Sequence, residues 1–429
     1  MKNEIIYVCP YFPPFGSGGA ERTAFLHSKV LIENGYNVTV VTPNYGLRNN
    51  SEKSLKIITF DIGKKLKLGE QLNSRIFYNP IIQNKLKKII LENFLSHEVK
   101  CIHVQHQFLL SGASAAAREL GVPLISHVRD TGTFCSLGGC CLIYNKPNQI
   151  PAFRYSIQHH IWCYFKNWIK YQKIQNKFFI FIGFLRSFIP YFIYLKNHIH
   201  LKRSKKIVFA SKNLRDLYKN SFKNYEINSL NYVYAIANDP LKEEKTKVSI
   251  IEKLKKENKS IVLYVGKVSK GKGFDNLIKS FQKVSNNFPR AKLVVCGNRP
   301  NKKYRNTKSI IFLGFLSKFK LNYVYSKCDL VVVPSVWPEP LGWGTLDAGR
   351  FKKPIVASKI GGIPEAIIHK KTGILVERND ILALTNAIIY ILKNNSTAKI
   401  LGENANKFVL NKFGDKNVFK QLSKVYRDL

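Results

Sequence analysis

The segment Gly266 to Gly273, GKVSKGKG, offers the first candidate chemistry, because it follows the apolar run IVLYV and precedes a helical pattern. Gly266, four further residues, Gly271 and Lys272 match the phosphate-cradling part of a P-loop. Gly273, however, stands where a P-loop needs a Ser or Thr hydroxyl for Mg²⁺. What survives is a Gly-rich strand-to-helix turn with Lys267 and Lys272 at a helix N-terminus, where N–H groups, helix dipole and ammonium charge suit a phosphate without a metal. A pair of solvated lysines on a turn is the plainer reading. The second candidate is WPEPLGWGTLDAG, Trp337 to Gly349, with Glu339 in a loop after the run DLVVVPS and Asp347 eight positions on, inside the next helical stretch. Each carboxylate can accept two hydrogen bonds from sugar or ribose hydroxyls, one at a ligand's reacting end and one at its far end. A capping Glu and a surface Asp are the alternative.

Two further groups lie in the first half. FPPFGSGGAER, Phe12 to Arg22, places Gly16, Gly18 and Gly19 before a helix and permits close backbone approach to a ligand. Glu21 breaks the dinucleotide fingerprint, and no acidic residue ends the second strand, so NAD binding is not supported. IHVQHQ and SHVRD put His103, His106, His127, Arg129 and Asp130 at or past the ends of strands. His103 reads as a satisfied core histidine, while Arg129 and Asp130 are expected to face a ligand. Eight cysteines show no metal-ligand spacing, and the Cys135, Cys140, Cys141 cluster reads as structural. No metal site is expected.

These residues need strands to position them, and the chain supplies two series of alternating strand and helix patterns. In the first, IIYV, a helix from Glu21 to Asn34 closed by Gly35, and NVTVVT form a βαβ unit, followed by strand patterns IHVQ, PLISHV and KIVFAS. The second begins after the charged segment Lys242 to Lys259 with SIVLYVG, a helix Phe274 to Asn287, AKLVVCG, IIFLG, DLVVVPS, a helix through Leu346 to Phe351, and PIVAS. The expected fold is α/β, with two Rossmann-like doubly wound domains facing across a cleft. The expected domains are 1–238, joined by a C-terminal helix 413–429, and 239–412.

Composition fixes the class of neighbour but not its identity. In 429 residues, 69 Lys or Arg against 27 Asp or Glu give a net charge of +42, and 45% hydrophobic residues exclude a disordered tail. Such an excess calls for a polyanionic neighbour: nucleic acid, an anionic membrane or a phosphorylated substrate. The stretch 151–206 holds 11 Lys or Arg, no Asp or Glu and 15 aromatic residues in 56 positions. It reads as a basic aromatic helical insert. Its apolar run Phe178 to Leu195 contains Arg186 and Pro190, so an interfacial segment on an anionic leaflet is favoured over a span, with plain core helices as the other possibility. The N-terminal apolar run is too short for a secretion signal, and the chain is expected to be cytoplasmic.

Taken together, GGAER, GK…GKG, EPLGWGTLDAG and KIGGIPEAIIHKKTGILV resemble glycosyltransferase family 4, the retaining nucleotide-sugar transferases of GT-B fold, from Ile5 to about residue 415. The resemblance implies metal-independent transfer from a nucleotide-diphosphate sugar, UDP- or GDP-linked, to a hydroxyl of a glycan or lipid-linked acceptor, with retention at the anomeric carbon. The nucleotide sugar is a co-substrate and no cofactor is expected. It implies Glu339 at the reacting sugar, Asp347, one methylene shorter than the family's Glu, on the ribose, and Lys267 and Lys272 on the diphosphate where Arg and Lys are usual. The family loop GGxPE maps to Gly361, Gly362, Ile363, Pro364 and Glu365. Glu339, Lys267, Lys272 and Arg129 are thus the implied catalytic residues. Gly18, Gly19, Gly266, Lys267, Lys272, Glu339, Leu341, Gly342 and Asp347 are the implied donor contacts. His127, Arg129 and Asp130 match a motif that varies between His and Arg in the family. With the basic insert, the resemblance suggests a peripheral protein on the inner face of the cell membrane.

Readings of other kinds remain beside this one. A P-loop NTPase lacks its hydroxyl after Lys272. A GT-B sugar phosphorylase would instead release sugar phosphate, and a non-enzymatic basic nucleic-acid-binding protein would account for the charge. No specific nucleic-acid partner is expected, since no recognised binding motif is present and polycation binding falls steeply with salt.

Overall fold

The computed structural model describes residues 4–15, 18–46, 55–66, 70, 72–133, 135–137, 156–221, 230–237, 247–298, 304 and 308–429. Gly16, Cys140, Cys141 and the 238/239 domain boundary expected from sequence lie outside them. The chain divides into two compact units, residues 1–236 with 418–429, and residues 237–417. Among the described residues, Cys9, Cys101, Cys296 and Cys328 are free, and these four with Cys135 and Cys163 are buried.

The first unit is built on seven parallel strands. In chain order these elements are β1 (Glu4–Val8), α1 (Gly19–Glu33), β2 (Asn37–Asn44), β3 (Lys56–Asp61), α2 (Pro80–Asn93), β4 (Val99–Val104), α3 (Leu110–Glu119), β5 (Leu124–Val128), α4 (Ile157–Cys163), α5 (Lys177–Lys202), β6 (Lys206–Phe209), α6 (Lys212–Ser221) and β7 (Leu230–Tyr232). The order across the sheet is β3-β2-β1-β4-β5-β6-β7. Ile5 to Val8 and Leu124 to Val128 are buried throughout, as strands covered on both faces must be, and this explains runs without polar alternation. β3 and α2 were not foreseen. Yet α2 carries a readable start: the Asn79 side chain accepts from the Ile81 N–H at 2.9 Å, and Pro80 occupies the first turn.

From residue 156 on, the basic insert is mainly helical, as expected, but its apolar run is part of a longer helix. α5 is 26 residues long, has a mean hydropathy of 1.8 over its most apolar stretch, and is long and apolar enough to cross a membrane by length and composition. Only 17% of that stretch is buried.

The second unit repeats the plan with α7 (Ser249–Lys256), β8 (Ser260–Val265), α8 (Phe274–Asn287), β9 (Ala291–Cys296), β10 (Ile310–Gly314), α9 (Lys318–Lys327), β11 (Leu330–Val333), α10 (Trp343–Arg350), β12 (Ile355–Ser358), α11 (Ile363–Ala366), β13 (Ile374–Val376), α12 (Ile381–Lys393) and α13 (Asn395–Phe413). Its six parallel strands run β10-β9-β8-β11-β12-β13. Two apolar layers cover the sheet, one around Phe274, Phe281 and Ile388, the other around Leu263, Tyr325 and Ile363. The last helix, α14 (Asp415–Tyr426), returns to the first unit from Val418 onward, where Lys206 Nζ donates to the Val425 carbonyl at 2.8 Å.

Strand order reverses direction between β1 and β4 in the first unit and between β8 and β11 in the second. At such switch points the loops after the two strands diverge and leave a crevice at their carboxyl ends. The motifs after β1, β4, β8 and β11 lie at these two switch points, while SHVRD ends β5, the strand beside β4.

Candidate functional site

In the second unit, three segments converge on Glu339. The turn after β8 leads into α8 through Gly273, whose φ of +70° is left-handed. A Cβ there would collide with the Pro334 carbonyl, so glycine lets the α8 N-terminus sit against the end of β11. The Gly271 carbonyl accepts from the Val336 N–H at 2.9 Å and the Trp337 N–H at 2.8 Å, zipping this turn to the loop after β11. From the other side, the Gly362 N–H donates to the Glu339 carbonyl at 2.7 Å, and a Cβ on Gly361 (φ +58°) would strike the Glu339 backbone.

Held in this way, the Glu339 side chain is 8% exposed, and its carboxylate accepts from Lys272 Nζ at 2.6 and 2.8 Å and from Ser335 Oγ at 2.7 Å. Lys272 is 39% exposed, so its ammonium is anchored on the carboxylate yet open to a ligand. Lys267 lies exposed on the same turn, its carbonyl accepting from Tyr264 OH at 2.8 Å. Burial, with the charge of Glu339 adding to it, pushes the Tyr264 phenol well above its usual range. Gly266 donates its N–H to the Cys296 carbonyl at 3.0 Å. Leu341 is buried and Gly342, at φ +83°, precedes α10. The turn therefore offers helix N–H groups and two ammonium groups to an anion next to one buried carboxylate.

Asp347 departs from the simple expectation of a carboxylate waiting for ribose. It lies within α10, and Arg350, one turn later, donates from Nη1 to Oδ1 at 2.7 Å, with the two side chains 3% and 8% exposed. Asn406 Nδ2 ties the end of this helix by donating to the Gly349 and Arg350 carbonyls at 2.9 and 3.0 Å. Sequence reading missed both Arg350 and Ser335. The first was signalled by the i, i+3 acid–Arg spacing on a helix.

In the first unit, Gly18 caps α1 and Gly19 opens it. A Cβ on Gly18 would collide with the Glu21 carboxylate, and burial raises the Glu21 pKa above the usual carboxylate range. Arg129 does not stand open to a ligand as expected. It is 6% exposed and donates from Nε to the Gln105 carbonyl at 3.3 Å and from Nη2 to Gln105 Oε1. Burial lowers its pKa to about 10. The backbone turns at Asp130, which accepts from the Gly132 N–H at 2.8 Å and lies 3.8 Å from His106 Nε2. Desolvation works against the Asp130 charge, but the His106 contacts and the Gly132 N–H hold its pKa below the usual value.

His103 is the buried histidine foreseen: its Nδ1 is 2.5 Å from Tyr426 OH, which lies 3.0 Å from Tyr7 OH, and its ring stacks on His127 at 5.5 Å. His127 thus belongs to an interior ring stack. Among the described residues, no group of three His, Cys, Asp or Glu converges as metal ligands would.

Comparison with known proteins agrees with this layout. The model for Glycosyltransferase Family 4 matches residues 17–223, and that for Glycosyl transferases group 1 matches residues 246–408. An uncharacterized glycosyltransferase of Methanocaldococcus jannaschii is 29% identical over 179 residues, 40% of this chain and 45% of that protein. The capsular polysaccharide biosynthesis glycosyltransferase CapM of Staphylococcus aureus is 25% identical over 173 residues, 39% of this chain and 45% of CapM. The matched stretch is thus less than half the length of either relative. Among solved structures, Anabaena HepE in complex with UDP and glucose superposes with a TM-score of 0.66 at 16% identity, over 99% of both chains. That likeness establishes the GT-B fold. With one model matching each half in order, the chain belongs to glycosyltransferase family 4, the group 1 glycosyl transferases.

Proposed function

We propose that this protein transfers a sugar from a nucleoside-diphosphate sugar to a hydroxyl of a glycan or lipid-linked acceptor at the cytoplasmic face of a membrane, with retention at the anomeric carbon and without a metal. The observation that carries the reading is the Lys272–Glu339 pair at the α8 N-terminus, because leaving-group departure needs fixed positive charge on a phosphate beside an acceptor for sugar hydroxyls. Cleaving the anomeric C–O bond leaves its electron pair on the diphosphate. Lys272, Lys267 and the α8 N–H groups stabilise that charge in place, with no reorganisation at the moment of reaction. Glu339 orients the sugar by accepting from its hydroxyls. The new bond forms on the face the diphosphate leaves, and the departing phosphate oxygen takes the acceptor hydroxyl's proton, so no covalent sugar on the protein is required. Asp347, braced by Arg350, is assigned to the ribose end.

The solved HepE complex with UDP and glucose makes UDP the first ligand to try. The test is a calorimetric panel of UDP, GDP, ADP and CMP, with and without EDTA, on wild type and Lys272→Ala. One diphosphate binding equally well in EDTA and losing affinity in the variant supports the reading. Binding by none, or only with Mg²⁺, overturns it.

A further inference from the structure

Helix α5 is amphipathic the wrong way round for water. Phe178, Phe181, Leu185, Ile189 and Phe192 recur at three- and four-residue spacing, with Ile199 seven residues further on, and so share one face; each is between 51% and 66% exposed. The opposite face carries Ser187, Tyr191, Tyr194, Asn197 and His198, all between 3% and 7% exposed. That polar face is bonded into its own unit. Ser187 Oγ lies 2.9 Å from His160 Nε2, and Asn197 Nδ2 donates to Tyr78 OH at 3.4 Å. Six apolar side chains turned to solvent along one helix form a patch that soluble surfaces rarely show.

We propose that the outward face of α5 lies flat in one leaflet of an anionic bilayer, its rings among the acyl chains and its neighbouring cations on lipid phosphates. This rests on the membrane-face placement proposed above and names the surface and the depth. Charge selects the occupant: Lys166, Lys170, Lys173, Lys177, Arg186 and Lys196 are all exposed, and residues 151–206 contain no acid. A second copy would set this patch against its own charge, whereas anionic headgroups complement it. The buried polar face excludes a full span, because lipid all round the helix would strip hydrogen bonds that hydrocarbon cannot replace. A helix in the plane of the interface keeps those bonds and removes only the apolar stripe from water.

Flotation of the full chain with vesicles tests this. Wild type is expected to float with phosphatidylcholine containing about one-third phosphatidylglycerol, and at least tenfold less with phosphatidylcholine alone. Phe178→Ser/Phe181→Ser/Phe192→Ser is expected to lose flotation at least tenfold while keeping the wild-type thermal shift with UDP. A second variant, Lys173→Glu/Lys177→Glu/Arg186→Glu, should lose the preference for anionic vesicles without touching an aromatic ring. Undiminished flotation of both variants overturns the inference, as does external protease leaving one end of α5 protected inside sealed vesicles. Wild type that binds UDP but floats with neither vesicle overturns it and leaves the sugar-transfer reading standing. Flotation without nucleotide binding does the reverse.

Discussion

Lys272 Nζ lies 2.6 and 2.8 Å from the two carboxylate oxygens of Glu339, so the cation assigned to the leaving group and the acid assigned to the sugar neutralise each other before a donor arrives. Because Glu339 is nearly buried, Lys272→Ala leaves it, among the described residues, with Ser335 Oγ as the remaining side-chain donor, a loss of about 1–3 kcal/mol. Lys272→Ala is therefore expected to lower Tm by a few degrees and to weaken nucleoside-diphosphate binding at least tenfold. Adding Glu339→Gln should restore Tm without restoring binding. Calorimetry and melting on the same samples separate the two roles; recovery of affinity in the double variant would assign Lys272 to stability alone.

Glu339→Gln by itself keeps the shape but removes the charge. It is expected to cut kcat roughly 10²- to 10³-fold, as loss of one preorganised electrostatic group does, with KM for the donor changed far less. Steady-state kinetics with a chosen donor checks the split. A rise in KM at unchanged kcat would place Glu339 in ground-state binding instead.

Gly362 lies so close to Pro340 that an added Cβ would overlap the Pro340 carbonyl, and its N–H holds the Glu339 carbonyl. Gly362→Ala must displace the loop that carries Glu339. At least tenfold loss of kcat, with destabilisation of about 1–3 kcal/mol, is expected. A variant with wild-type kcat would show that this contact does not position Glu339.

The alternating strands, and the motifs at their ends, were legible because buried parallel strands leave uninterrupted apolar runs and turns leave glycines. β3 escaped notice because its residues are only partly covered at a sheet edge. Lys272, Glu339 and Gly273 were readable from spacing, but their mutual contacts were not, since β11 reaches β8 only through sheet topology. Arg129 shows the opposite failure. Its place past a strand end suggested an open cation, and the Gln105 side chain that covers it comes from the neighbouring strand's loop. The inverted face of α5 was hidden because composition gives apolarity and not which side is turned outward.

Arg350 and Asp347 form a pair with side chains 3% and 8% exposed. Arg350→Ala removes the guanidinium that Asp347 accepts from inside the fold, and a loss of about 3–5 kcal/mol in the second unit is expected. Asp347→Asn, which retains an acceptor for Arg350, should cost less. Urea unfolding of the two variants checks the order; equal midpoints would mean that Arg350 does not brace Asp347.

The first unit carries nine of the ten histidines, and burial holds several of them neutral: His27 at about 3, His198 at about 2, His200 at about 4, with His103 and His127 well below the usual value. The unfolded chain takes up protons near pH 6.5 that these sites refuse, so below that pH the unfolded state holds more protons and stability falls as pH drops. The slope reaches about 1.4 kcal/mol per pH unit for each such histidine. Glu21 acts oppositely, its raised pKa costing stability as pH rises above the ordinary carboxylate range, but it is one group against five. Melting between pH 8 and 5 should therefore show the first unit losing Tm steeply below about pH 6.5, while the second, with His369 as its single histidine, changes less. His127→Phe, which removes one refused proton from the ring stack, should flatten the slope; an unchanged slope would mean that the stack is not what acid attacks.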